Sequence, residues 1–163
     1  MEQEQLFDLI TTLVPDAKPS DKPSDTPAIE VAAEKLLLLM QPLKEDERLA
    51  FDMLMFHTAI DWVQEEIFEL VYHLFSTRHL QKLRVLVTVP RNNPVVPTVS
   101  AIWQIAEWHE REVYDLFGVL YDNHPDLRRL LLEDDWQGFP LRKDYQDDFM
   151  IAPPKSPATG TAK

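Results

Sequence analysis

The side chains most able to do chemistry crowd into one stretch, Glu107 to Tyr145, EWHEREVYDLFGVLYDNHPDLRRLLLEDDWQGFPLRKDY. Zinc hydrolysis is the first chemistry to test there, because His109 and Glu110 stand together on a predicted helix. A zinc-protease helix carries its second histidine four residues after the first, and position 113 holds Val113. The remaining histidines, His57, His73, His79 and His124, show no metal-ligand spacing and are expected in strands or loops with hydrogen-bond partners. Acid–base catalysis is the second chemistry. Glu112 and Asp115 lie three residues apart, and Glu133, Asp134 and Asp135 follow as a cluster. A proton donor needs its carboxyl pKa raised by burial. Arg111 stands four residues after Glu107 and four before Asp115, so an ion-pair ladder along one helix face is expected. A neighbouring arginine lowers a carboxyl pKa, which works against a donor.

Other chemistries are excluded more directly. The chain of 163 residues has no cysteine, so it can supply neither disulfides nor thiolates to zinc or an iron–sulfur cluster. It has no Gly-x-Ser-x-Gly elbow, and its three glycines, Gly118, Gly138 and Gly160, cannot build a phosphate-binding loop. A formal net charge of -12 argues against nucleic acid and anionic membrane as partners. The longest aliphatic run, Leu36 to Met40, is far shorter than the ~20 residues of a membrane helix. The start, MEQEQLFDLI, does not read as a secretory signal. What remains in the stretch is the composition of an interface core: Trp108, Tyr114, Phe117, Tyr121, Trp136, Phe139 and Tyr145 interleaved with Arg111, Arg128, Arg129 and Arg142. Docking is therefore the expected use.

The elements that must position these residues follow from hydrophobic periodicity. Residues 3 to 14 form an amphipathic helix with Leu6, Ile10, Leu13 and Val14 on one face, ending before Pro15. Such a short helix must pack on the body or on a partner. DAKPSDKPSDTP, residues 16–27, reads as a solvated linker. Ile29 and Val31 suggest a short strand, and Ala32 to Gln41 a helix stopped by Pro42. Three strands follow, at Phe51 to His57, Ile67 to Phe75 and Leu83 to Val89, joined by connections of seven to nine residues. Such lengths favour antiparallel neighbours over parallel crossovers. PRNNPVVP is an extended connector, Thr98 a helix N-cap, and Gly118 the stop of a helix ending at Phe117. On that helix Val113, Leu116 and Phe117 face the core, as does Trp103. The fold expected is α+β: an antiparallel meander with helices on one face, residues 28–135, preceded by the helix 1–15 and linker 16–27. An extended C-terminal arm, residues 136–163, would take a fixed shape only on a partner.

Several separated blocks carry a family resemblance. These are Glu110-Arg111-Glu112, Asp115, Gly118, His124-Pro125, Leu127, Arg128-Arg129, Asp135-Trp136, Gly138 and Pro140-Leu141-Arg142-Lys143-Asp144-Tyr145, preceded in order by FDMLMFHTAID, FELVYHLFSTRHLQKLRV and VPRNNPVVPTVSAIW. Together they resemble the thirty-kilodalton-type subunit family of respiratory complex I, the C-type subunit of proton-pumping NADH:quinone oxidoreductase, over residues 28–145. Two positions depart from that pattern: Phe139, where many members carry histidine, and Arg128, where lysine is common. The resemblance implies a non-catalytic subunit of the hydrophilic arm, on the cytoplasmic side of a bacterial inner membrane. It implies no cofactor or metal on this chain, with iron–sulfur clusters, FMN and quinone in neighbouring subunits. The implied partner is the quinone-site subunit of the complex, the D-type chain. The docking residues expected are Glu107, Glu110, Arg111, Glu112, Asp115, His124, Arg128, Arg129, Trp136, Gly138, Pro140, Leu141, Arg142, Lys143, Asp144 and Tyr145. The equivalent subunit of a membrane-bound nickel–iron hydrogenase or a formate-oxidising complex is the alternative, and a stand-alone acid–base enzyme using Glu112, Asp115 or His109 a more distant one.

Overall fold

A computed structural model describes residues 2–148. Its centre is a mixed five-strand sheet in the order β1-β2-β5-β4-β3, from β1 (Lys18–Pro19), β2 (Ala28–Glu30), β3 (Met53–Trp62), β4 (Ile67–Ser76) and β5 (Gln81–Pro90). β3, β4 and β5 form the expected antiparallel meander, and β2 joins β5 in parallel. The alternation in β4 and β5 is what commits them to the sheet. Phe68, Leu70, Tyr72 and Leu74 are fully buried, as are Leu83, Val85 and Val87, with Val89 at 1% exposure. Each such aliphatic or aromatic side chain contributes about 1.5–3 kcal/mol relative to exposure.

Both hairpins are tighter than the sequence suggests, because the strands run past their apolar cores. Residues 63–66 and 77–80 are all that separate the three strands. Each turn closes through a residue in the left-handed region, Glu66 (φ 56°) and Leu80 (φ 52°). Neither is glycine, so the sequence carries no punctuation to mark the turns.

The helices pack against the sheet face that carries Phe68, Leu70 and Val85. α1 (Gln3–Leu13) buries Leu6 and Ile10 there, so it packs on the body. α2 (Leu36–Glu45), entered through a 3-10 turn at Ala33–Lys35, passes through Pro42 and does not stop at it. Proline removes one i→i−4 donor. The carbonyl left without it belongs to Leu38, which lies on the solvent face at 59% exposure, so the loss is tolerated there. Residues 16–27, expected as a free linker, provide β1, bury Ala17 at 1% exposure, and bring Lys22 into an ion pair with Glu69.

The proline connector holds a further element. β6 (Val95–Pro97) pairs in parallel with β7 (Leu120–Asp122) in a second, two-strand sheet, and the two strands bracket α3 (Ala106–Phe117) in sequence. Thr98 is not the cap of that helix. α3 begins eight residues later without a side-chain cap, and turns at residues 100–102 and 104–105 lie between. Gly118 does end the helix, at φ 76°. A Cβ there would stand 2.5 Å from the Phe139 ring, so glycine also lets the C-terminal segment approach.

Candidate docking site

α3 presents two kinds of buried residue to its surroundings. Ala106, Glu110, Val113 and Phe117 face the core at helical spacing, and Arg111 and Asp115, four residues apart, face residues 126–138. The expected ladder of Glu107, Arg111 and Asp115 does not form: no ion pair joins the three, and the side chains of Arg111 and Asp115 are taken up by groups of residues 128–132. Arg111 Nε donates to Arg128 O at 3.1 Å and Nη2 to Arg129 O at 2.9 Å, with the guanidinium 5.2 Å from the Trp108 ring centre. Glu107 contributes its carbonyl, which accepts from His124 Nε2 at 3.1 Å.

Asp115 is the pivot. It is fully buried, and its Oδ2 accepts from Leu130 N (3.1 Å), Leu131 N (2.7 Å) and Leu132 N (3.0 Å), while Oδ1 takes Arg129 Nη1 at 2.8 Å. Burial pushes this carboxyl up, but the three backbone donors and Arg129 outweigh it and hold Asp115 below the usual carboxylate range. Three successive N–H groups converging on one oxygen make an anion nest. Here a side chain of the same fold fills it. Arg129 then reaches onward, donating Nη2 to Trp136 O (2.9 Å) and Gly138 O (3.2 Å).

A second clamp lies at the sheet edge. Arg91 holds buried Asp61 in a two-pronged pair, Nε to Oδ1 at 2.7 Å and Nη2 to Oδ2 at 3.0 Å, and also pairs with Asp144 through Nη1 to Oδ2 at 3.1 Å. Asp61 Oδ2 accepts Lys143 N at 2.8 Å as well. Arg142 Nε donates to Phe117 O at 2.6 Å, and its guanidinium lies between the rings of Phe68 (5.1 Å) and Phe139 (4.7 Å). Leu141 N donates to Leu116 O at 3.1 Å. Residues 139–144 therefore have a shape fixed by their own domain, which corrects the expectation that this part of the arm orders only on a partner. Residues 149–163 of that arm lie outside the described residues.

The third cluster surrounds Glu110. It is wholly buried and accepts from Val99 N at 2.8 Å and from the Thr98 hydroxyl. Burial pushes its pKa up to about 7 against the two hydrogen bonds, with Glu107 adding to the rise. His124 Nε2 lies 3.8 Å away. Asp126 N donates to His124 Nδ1 at 3.0 Å, so the proton of the neutral ring is on Nε2, where it meets Glu107 O. Deeper in, His57 Nδ1 donates to Val71 O at 3.1 Å and Nε2 accepts from Tyr121 OH at 2.5 Å; burial brings His57 down to about 3.

Of the sixteen expected residues, then, Glu110, Arg111, Asp115, His124, Arg129, Arg142 and Asp144 are joined into clamps inside the fold, with Glu107, Gly138, Leu141 and Lys143 contributing backbone groups. Glu112 is exposed, and Arg128 is exposed and paired with Asp126 at 2.9 Å. Pro140 is half-buried, and Tyr145 OH donates to Asp147 at 3.0 Å. The apolar side chains left facing outward in this region include Trp108 (54%), Leu131 (63%), Trp136 (38%) and Leu141 (49%). Asp61, Arg91 and Thr98 are functional parts of the clamps that sequence spacing did not find. Their partners lie 30, 53 and 12 residues away, and no local pattern links them. Among the described residues no group of three or more histidine, aspartate or glutamate side chains is placed to hold a metal ion, and no helix is long and apolar enough to cross a membrane.

This framework, an α+β domain that clamps its own C-terminal strap, is that of a respiratory-chain oxidoreductase subunit: the family described as respiratory-chain NADH dehydrogenase, 30 Kd subunit, matches residues 29–148. The chain belongs to that family, the 30 kDa, C-type subunits of NADH-quinone oxidoreductase, or complex I. It is 45% identical over 119 residues to the C-type NADH-quinone oxidoreductase subunit of Moorella thermoacetica, a match covering 73% of this chain and 79% of the relative. It is also 45% identical over 120 residues to a fused C/D-type NADH-quinone oxidoreductase subunit of Phocaeicola vulgatus, covering 73% of this chain and 22% of the fusion. Among solved structures, a chain of the membrane-bound sulfane sulfur reductase, an archaeal respiratory membrane complex, superposes with a TM-score of 0.76 at 28% identity, covering 88% of this chain and 85% of that one.

Proposed function

We propose that this chain is a non-catalytic structural subunit of the hydrophilic arm of a bacterial complex I, and that it docks the quinone-site subunit, the D-type chain. The supporting observation is the fused C/D-type relative, in which a segment 45% identical to this chain is covalently continuous with a D-type sequence. Two proteins that tolerate fusion stand close together in their assembly. On this reading the charged residues work indirectly. Asp115, Arg129, Arg111, Arg91 and Asp61 hold the strap in place, and the outward Trp108, Leu131, Trp136 and Leu141 meet the partner. Exposed aromatic side chains supported by a rigid base are what a binding hot spot requires. Iron–sulfur clusters, FMN and quinone belong to the neighbours, and the whole lies on the cytoplasmic side of the membrane.

The named relatives favour this over the nickel–iron hydrogenase or formate-oxidising alternative, since both are NADH-quinone oxidoreductase subunits. The likeness to the sulfane sulfur reductase supports a module reused with a different acceptor. Deleting residues 136–163 tests the reading. The quinone-site subunit should be lost from the purified complex together with quinone reductase turnover, whereas a complex of normal composition and turnover would refute it.

A further inference from the structure

A cavity of about 430 Å³ opens between α2, the turn at residues 100–102, the first turn of α3 and the end of β7. Leu37, Ala101, Ile102 and Pro125 give it apolar walls, and Glu107 and Asp122 line it as well. Leu37 is 42% exposed, so an apolar surface stands open to solvent beside two acids. The walls are tied to one another by the fold itself. Thr98 N donates to Asp122 O at 3.0 Å, Val99 N to the buried Glu110 at 2.8 Å, Ile102 N to Val99 O at 2.9 Å, and His124 Nε2 to Glu107 O at 3.1 Å. A site whose walls are fixed in this way loses little conformational freedom when it is filled.

The two acids are left without cations. Asp61, Asp115, Asp126 and Asp144 each have an arginine, whereas neither Glu107 nor Asp122 has a basic side chain within ion-pair distance among the described residues. Lys44, from α2, is already held by Ile102 O, with its ammonium 5.9 Å from the Trp103 ring centre. An exposed acid without a partner is ordinary on a chain of net charge -12. Two of them around an apolar cavity are not, because the combination selects its occupant. Anions are repelled, and a divalent ion finds no group of three ligands among the described residues. An amphipathic cation, apolar along its stem and charged at its head, satisfies both parts.

We propose that this cavity is a second docking site, which takes a lysine side chain of another protein in the complex. The four-carbon stem lies on Leu37, Ile102 and Pro125, and the ammonium donates to the carboxylates of Glu107 and Asp122. Arginine fits less well. Its planar head gains most from an aromatic face to stack on, and no aromatic side chain lines the cavity. None of Trp108, Leu131, Trp136 and Leu141 lines it either, so the site stands apart from the face assigned to the quinone-site subunit and its test does not depend on that assignment.

In the intact complex, carbodiimide coupling without a spacer should join Glu107 and Asp122 to one and the same lysine of another protein. Both carboxyls should accept a small amine label in the free full-length chain and lose that labelling in the complex. In complexes carrying Glu107→Lys and Asp122→Lys together, the coupled lysine should become as reactive towards an amine reagent as an exposed lysine, and Glu107→Gln with Asp122→Asn should give an intermediate reactivity. Carboxyls that label alike in both states would overturn the proposal. So would coupling only to a lysine of this chain or of a second copy, protection of both acids without coupling to any lysine, or a partner lysine that stays unreactive in the charge-reversed complex.

Discussion

Replacing Asp115 with alanine should release the C-terminal strap before it unfolds the domain. The carboxylate satisfies four donors, the N–H groups of Leu130, Leu131 and Leu132 and the guanidinium of Arg129, and Arg129 in turn holds the carbonyls of Trp136 and Gly138. Removing one partner of a buried pair costs about 3–5 kcal/mol. Residues 130–132 are only partly buried and water can reach some of the freed groups, so the lower end, about 3 kcal/mol, applies. For a chain of this size that corresponds to a fall in Tm of roughly 6–12 °C. The loss is concentrated in residues 129–138, which Asp115 and Arg129 fasten to α3, so amide exchange at residues 130–132 should accelerate and trypsin should cut at Arg128 or Arg129 while β4 and β5 stay protected. Glu112→Ala, one turn away and exposed, should change stability by less than about 0.5 kcal/mol. An Asp115→Ala protein whose Tm falls by less than about 2 °C, and whose residues 130–132 exchange as before, would refute the assignment of Asp115 as the pivot.

Two other perturbations follow from the remaining clamps. Arg91→Ala leaves Asp61 buried without its guanidinium, with Lys143 N still donating to it, and frees Asp144, so it should cost about 3 kcal/mol by chemical denaturation, and Asp61→Asn in the same background should recover part of that loss. The pH dependence of stability should separate into two opposed parts. Glu110 has its folded pKa raised from 4.5 to about 7, so the fold favours its protonated form: that contribution is full below about pH 4.5 and is lost as pH rises through 7. His57 has its folded pKa lowered from 6.5 to about 3, so its contribution is full above pH 6.5 and is lost as pH falls towards 3. Glu110→Gln should therefore flatten the decline in stability between about pH 5 and 8, and leave the decline on acidification below about pH 6.5. A wild-type slope persisting unchanged in Glu110→Gln would contradict the first part.

The sequence was legible where periodicity carries information and opaque where backbone groups do. Leu83, Val85, Val87 and Val89 announce a strand by alternation, and Leu6 and Ile10 announce a helix, although only the structure shows that it packs on the body and not on a partner. Gly118 announces a helix end because left-handed backbone favours glycine, whereas Glu66 and Leu80 adopt the same region without any such mark. Pro42 misled because one lost donor on a solvent-facing turn is a small penalty beside the burial of Leu39, Met40 and Leu43. The importance of Arg111, Asp115, Arg129 and Arg142 could be seen from their crowding among aromatics. Their partners could not. A helix-surface rule pairs Arg111 with Glu107 and Asp115, yet its real acceptors are carbonyls of Arg128 and Arg129, and any residue type at those positions would offer the same carbonyl. The pairs that fasten the strap to the sheet, Arg91 with Asp61 and Asp144, join residues that become neighbours only through the meander. The acids and arginines that suggest catalysis in one dimension are, in three, the fastenings of a strap, and the outward apolar side chains beside them are what a partner can reach.

The central claim is that this strap presents its outward face to the quinone-site subunit, and a surface variant tests it without disturbing the clamps. Trp136 and Leu141 are 38% and 49% exposed, so changing both to serine should leave the Tm of the isolated chain within about 2 °C of wild type. The decisive measurement is the amount of quinone-site subunit retained per copy of this chain in complexes purified with Trp136→Ser and Leu141→Ser. The account predicts a clear loss of that partner and of quinone reductase turnover at unchanged stability of this chain. Wild-type stoichiometry and turnover in that double variant would contradict it.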